Sequence, residues 1–134
     1  MQTFLPYPNF LDSVKALDYR RLGKQRVEAD QILNTIKFGG GWIHHPIMKM
    51  WKGFEDALIM YRNYCILEWI ERGYKNNMLL IPIPSGDIAM PSWMGDKAFH
   101  MSHQSNLLRK FPAYYSQFNW NVPDNLPYIW PLNN

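Results

Sequence analysis

IMKMWKGFEDALIMYRNYCILEWIERGY, residues 47–74, repeats its apolar side chains at helical spacing: Ile47, Met50, Trp51, Phe54, Leu58, Tyr61 and Cys65. Apolar residues returning every three or four positions line one face of an α-helix. Pro46 suits the first turn, where its missing N–H costs nothing. Gly73 suits the stop. The spacing therefore predicts one helix of roughly 25 residues, apolar enough to be the central core element.

Upstream, Pro6 and Pro8 exclude a helix from residues 1–10, which read as an extended arm. Asp12 or Ser13 is the expected N-cap of a helix running to about Lys37, with Val14, Leu17, Val27, Ile32, Leu33 and Ile36 facing inward. Gly23 in its middle predicts a bend or the close approach of another backbone. Gly39-Gly40-Gly41 ends it. Downstream, Pro82, Pro84 and Pro91 mark 76–95 as a loop, and a helix is expected from Asp96 to Lys110. Pro112 closes that helix and opens a short one, AYYSQF; an irregular tail follows, held by Tyr128 and Trp130. No alternating pattern of strand length occurs. The expected fold is all-α: a compact, single-domain, three-helix arrangement over 1–134, with the N-terminal arm and the C-terminal tail packed on it.

Hydrophobic residues make up 47% of the chain, enough for one packed core, and aromatic residues 16%, a surplus available to a cleft or a surface. The net charge is +3, compatible with nucleic acid without demanding it. Cys65, the only cysteine, excludes an intrachain disulfide and reads as a buried small hydrophobe. MQTFLPYPNF has neither a basic leader nor a long apolar run, and no segment has the length of a membrane span. A cytoplasmic monomer, not bound to membrane, is the expectation.

Charge is bunched where chemistry could use it. Arg20, Arg21, Lys24 and Arg26 fall within seven residues, with Gln25 among them and Glu28 close behind. Arginine binds phosphate oxygens bidentately, and a carboxylate beside such a cluster can hold or move a proton. The alternative is a solvated basic face with one ion pair. Arg109-Lys110 form a second basic pair. His44 and His45 flank the start of the central helix, and His100 and His103 share a helix face. With no third ligand at metal spacing, no metal and no cofactor are expected; contact with a phosphate or base, or a structural role, fits these histidines better. Gln2 is too bulky for the usual removal of an initiator Met, so Met1 is expected at the mature N-terminus. An α-amine is a nucleophile that works near cell pH.

Three stretches carry a resemblance: ALDYRRLGKQRVEA (16–29), ALIMYRNYCILEWIERGY (57–74) and MGDKAFHMSHQSNLLRKFPAYYSQF (94–118). In their order the chain resembles the pyrimidine-dimer DNA glycosylases of the endonuclease V type. It is most similar to a shorter branch that begins MQTFLPY and carries LGKQRVEA, HPxxxMW, SHxxxL and PYxWP patterns. The resemblance implies a compact all-α fold whose arm inserts between helices. It implies a DNA glycosylase with abasic-site lyase activity on damaged or modified pyrimidines, acting through a Schiff base on an N-terminal amine. Carried onto this chain, the nucleophile is Met1 and the carboxylate is Glu28, one residue out of register with the family's Arg–Glu pair; Arg21 stands where the family's Tyr-Arg-Glu run has its Glu. Duplex DNA would be held by Arg20, Arg21, Lys24, Gln25 and Arg26, with His45, His103, Arg109 and Lys110 as further contacts. Two alternatives stay open: a non-catalytic nucleic-acid-binding module of the same fold, and an enzyme acting on a modified nucleotide.

Overall fold

A computed structural model describes residues 1–132. These residues form α1 (Phe10–Ala16), α2 (Tyr19–Phe38), α3 (Pro46–Trp51), α4 (Glu55–Glu71), α5 (Lys97–Lys110) and α6 (Pro112–Tyr115), and a 3₁₀ turn follows at Ser116–Phe118. No strand occurs among them. The all-α expectation holds, but two of the expected helices are each divided in two.

The first division falls at Leu17 and Asp18, both in extended backbone. The helix also starts earlier than expected, because Asn9 rather than Asp12 or Ser13 is its N-cap, its Oδ1 accepting from Asp12 N at 2.8 Å. α1 ends where other groups claim its backbone. Arg72, the C-cap of α4, donates to the Val14 and Lys15 carbonyls at 3.3 and 3.0 Å, taking acceptors that a continuing helix would use. Asp18 N donates to the Tyr115 hydroxyl at 3.0 Å, fixing the corner. The second division falls at Lys52-Gly53. Gly53 has φ +89°, a left-handed conformation that side-chained residues rarely adopt, and Glu55 and Asp56 then open α4 as favourable first-turn acids.

α2 packs chiefly on α4, with the other helices around them. Leu22, Ala29, Ile32 and Leu33 of α2 meet Leu58, Tyr61 and Cys65 of α4 in one buried cluster that also takes in Trp51, Phe99 and Tyr115. Each such side chain contributes about 1.5–3 kcal/mol on burial. The buried Arg62 guanidinium ties α4 to α2 through Asp30 at 2.7 Å. Cys65 is buried as expected, and burial pushes its thiol upward, making it inert. Gly23 marks a close approach, but of a side chain rather than a backbone. A Cβ there would lie 3.0 Å from the Trp69 indole of α4.

The expected loop holds its place without helix or strand. The Asn63 amide pairs with both polar groups of Ile81, donating to its carbonyl at 2.8 Å and accepting from its N–H at 3.2 Å. Trp93 plugs the core beside Trp51, with ring centroids 5.0 Å apart. The arm itself enters the core: residues 2–6 are buried, and Phe4 and Leu5 belong to the central cluster.

Candidate active site

An extended segment inside a helical protein has no neighbouring strand to satisfy its backbone. Here side chains do so. Gln25 of α2, buried, accepts from Phe4 N at 2.8 Å through Oε1 and donates to the Gln2 carbonyl at 2.8 Å through Nε2. Tyr61 of α4 places its hydroxyl 2.8 Å from the Phe4 carbonyl and 2.6 Å from Gln25 Oε1. α5 supplies three more partners. His103 Nδ1 accepts from Leu5 N at 2.9 Å, His100 Nδ1 lies 2.7 Å from the Leu5 carbonyl, and Gln104 donates to the Pro6 carbonyl at 2.8 Å.

The two histidines take opposite tautomers. His100 Nε2 accepts from Gly95 N at 2.9 Å, so its Nδ1 carries the proton that Leu5 O accepts. His103 uses Nδ1 as acceptor, so its proton sits on Nε2, a buried donor with no partner among the described residues. His103 must be neutral to accept from Leu5 N, and His100 must be neutral to accept from Gly95 N. Burial lowers both pKa values, that of His103 to about 3, with His100 adding a further lowering. His103 is therefore an arm clamp and has no surface to offer DNA. Gln25 is likewise removed from the expected contact surface, because burial and its arm bonds occupy it.

The clamp carries the start of the arm to Glu28. Gln2 N lies 3.4 Å from Glu28 Oε2, and Gln25 Nε2 donates to that same oxygen at 3.0 Å. The Met1 nitrogen is one residue further along a chain whose reach is about 3.6 Å per residue, so it sits within about 7 Å of the carboxylate. Met1 and Glu28 are both only partly buried, so the two expected catalytic groups lie near one another, without a direct ion pair, at the surface end of the clamp.

Around this end lies an aromatic wall. Tyr128 and Trp130 of the tail are 5.6 Å apart; Tyr128 packs on Phe4 and His103, and Trp130 on His45 at 5.3 Å. His45 caps α3 by accepting from Ile47 N at 3.1 Å. Its pKa is lowered by burial and then by the positive charge of the Met1 amine, which places the two groups in one electrostatic neighbourhood. The Tyr128 phenol is pushed up to about 12, mainly by burial; Glu28 adds to the rise, while Arg109 and Arg21 oppose it. Met1, Glu28, His45, Arg21 and Arg109 thus gather around residues 128–130.

The cation cluster does not stay together. Arg20 and Lys24 are exposed and, with Glu28, Gly23 and Trp69, line an open groove of about 470 Å³. Arg21 pairs with Asp18 at 3.2 Å. Arg26 stacks over the Trp69 ring at 4.4 Å and donates to Asn76 at 2.8 Å, a structural position. Arg109 donates to Asn106 Oδ1, and Lys110 is exposed beside it. Among the described residues no group of three or more His, Cys, Asp or Glu could hold a metal ion, and no helix is long and apolar enough to cross a membrane.

A family model described as pyrimidine dimer DNA glycosylase matches residues 1–82. That is more than half of the chain. The chain belongs to the pyrimidine dimer DNA glycosylase family. The match to this glycosylase family spans the arm and α1 to α4, and so includes Met1, Gln25, Glu28, His45 and Tyr61. α5, with its two clamp histidines, and the tail lie beyond it. No curated protein and no solved structure matches the chain.

Sequence reasoning missed Tyr61 and His100 as arm holders, and nothing in their spacing marks them as such. It also missed a second basic surface that the sequence does carry. Residues 31–54 contain no Asp or Glu, but they include Lys37, Lys49 and Lys52.

Proposed function

We propose that this chain is a DNA glycosylase with abasic-site lyase activity, acting on a damaged or modified pyrimidine in duplex DNA. The observation that carries this reading is the hydrogen bond from Gln2 N to Glu28, which sets the arm's start beside a carboxylate at the edge of an exposed basic groove. The Met1 amine attacks C1′ of an extruded nucleotide, the glycosidic bond breaks, and the base leaves with its electron pair. Loss of the sugar ring oxygen's bond to C1′ gives an imine between C1′ and the Met1 nitrogen. Glu28 assists the proton transfers and takes a proton from C2′, and the electron pair left there expels the 3′ phosphate by β-elimination. Arg20 and Lys24 meet phosphates along α2; Arg21, Arg109 and Lys110 meet them beside the tail. No cofactor takes part in this scheme.

Borohydride reduces an imine to a stable amine, so it is expected to trap the protein on abasic-site DNA, and mass spectrometry to place the adduct on Met1. Acetylating Met1, or adding residues before it, is expected to abolish trapping and cleavage together. Trapping that survives acetylation would make a lysine the nucleophile. No trapping by the free protein would leave a binding module or a nucleotide enzyme.

A further inference from the structure

The loop after α2 spends apolar surface on solvent. Phe38 is 82% exposed, Trp42 56% and Ile43 37%. Gly39 and Gly40 have φ +82° and +144°, and at all three glycines an added Cβ would meet nothing within 4 Å. Packing therefore does not call for these glycines; at Gly39 and Gly40 the positive φ does, and the turn that follows leaves Trp42 exposed.

Its position is as informative as its exposure. The Trp42 ring is 5.9 Å from His45, His45 is 5.3 Å from Trp130, Trp130 is 5.6 Å from Tyr128, and Tyr128 is 6.4 Å from Phe4 of the arm. A row of rings thus runs from the exposed loop to the arm whose first residue bears the amine. The loop lies in the acid-free stretch of residues 31–54, with Lys37 on the last turn of α2 and Lys52 just after α3; the nearest acid in sequence beyond it, Glu55, accepts from Gly53 N at 3.1 Å. Exposed apolar rings flanked by cations complement stacked bases flanked by phosphates.

We propose that the Phe38–His44 loop is a duplex-opening wedge, with Trp42 stacking between bases next to the extruded nucleotide and Lys37 and Lys52 meeting the flanking phosphates. This rests on the glycosylase reading. Extruding a nucleotide costs stacking, and an inserted ring returns part of that cost and keeps the gap from closing. Stacking of one base on an aromatic side chain is worth about 10- to 100-fold in affinity.

The test uses a duplex containing a tetrahydrofuran abasic analogue, which cannot react, with 2-aminopurine as the neighbouring base. Binding of the unaltered protein is expected to change 2-aminopurine fluorescence as the neighbour loses its stacking partner. Trp42→Ala is expected to abolish that change and to weaken duplex binding by about 10- to 100-fold. It should leave borohydride trapping on single-stranded abasic DNA and the thermal melt unaltered, and Trp42→Phe should restore most of the duplex signal. The double variant Lys37→Ala, Lys52→Ala is expected to lower duplex affinity without removing the fluorescence change at saturation. An unaltered signal and affinity in Trp42→Ala would overturn the wedge, as would a concentration-dependent dimer that Trp42→Ala dissociates. Failure of borohydride trapping by the unaltered protein on a duplex with a natural abasic site would instead overturn the glycosylase reading, since the uncleavable duplex reports on the wedge without any chemistry.

Discussion

Gln25 and His103 show at single-residue scale how far sequence reading goes. Both have the polarity of a DNA contact, and Gln25 stands among four cations. What buries them is the arm, whose backbone groups are invisible in a list of side chains. Glu28 stands out in the sequence as one carboxylate beside a cation cluster, and the structure sets it beside Gln2 at the start of the arm. Glu28→Gln keeps an acceptor for Gln2 N and removes the proton-transfer group, so turnover is expected to fall ~10²–10⁴-fold with DNA affinity nearly intact. Single-turnover rates beside equilibrium binding check this, and full activity in the variant would reduce Glu28 to an arm-holding residue. His103 gives a pH prediction. In the unfolded chain its imidazole takes a proton near pH 6.5, and in the fold near pH 3. Between those values the unfolded state binds more protons, so acidification favours unfolding, by up to about 1.4 kcal/mol per pH unit for this one group. His103→Asn keeps an acceptor for Leu5 N but cannot titrate. Urea melts are expected to show the unaltered protein losing about 2 kcal/mol more than this variant between pH 6.5 and pH 4.5. Equal losses would assign the acid sensitivity to other groups.

Between elements, α5 and the short terminal helix were legible because Asp96 and Pro112 punctuate the chain at both ends of a periodic run. The breaks at residues 17–18 and 52–54 were not, since apolar spacing continues across them. Those breaks are set by tertiary partners: Arg72 and Tyr115 at the first, and a left-handed Gly53 at the second. The α2–α4 seam offers a test of packing against propensity. Alanine is a better helix former than glycine by about 1 kcal/mol. At position 23, however, a Cβ would press on the Trp69 indole, which is held by its Nε1 bond to the Lys75 carbonyl at 2.9 Å, by Tyr74 at 4.4 Å and by Arg26 at 4.4 Å. Overpacking costs typically 1–3 kcal/mol. Gly23→Ala is therefore expected to destabilise by about 1 kcal/mol in the native seam, and to stabilise by a similar amount once Trp69→Ala has opened it. A double-mutant cycle with no coupling would mean that the indole yields freely.

On the scale of the whole molecule, a net charge of +3 is small for a duplex binder, so the distribution of charge has to supply the affinity. Arg20, Lys24, Arg109 and Lys110 are exposed, whereas Arg26 is spent on Trp69 and Asn76. Neutralising ~7 phosphates with these four exposed cations together with Arg21, Lys37 and Lys52 gives a log–log salt slope of about −6.3. Filter binding is expected to return that slope for the unaltered protein, a value about 2 units shallower for Arg20→Ala with Lys24→Ala, and no change for Arg26→Ala. A slope near zero would remove duplex DNA as the ligand.

The clamp on Leu5 also fixes an order of events during synthesis. Leu5 and His103 are 98 residues apart in the chain. At 5–20 residues per second, the ribosome releases the arm about 5–20 s before it releases the helix that grips it. For that interval the first residues have no partner from α5, and enzymes that process nascent chains can reach them. Once α5 emerges, the arm is drawn into the core and those enzymes lose their extended substrate. Whatever processing the α-amine needs must be finished before α5 has emerged and closed on the arm.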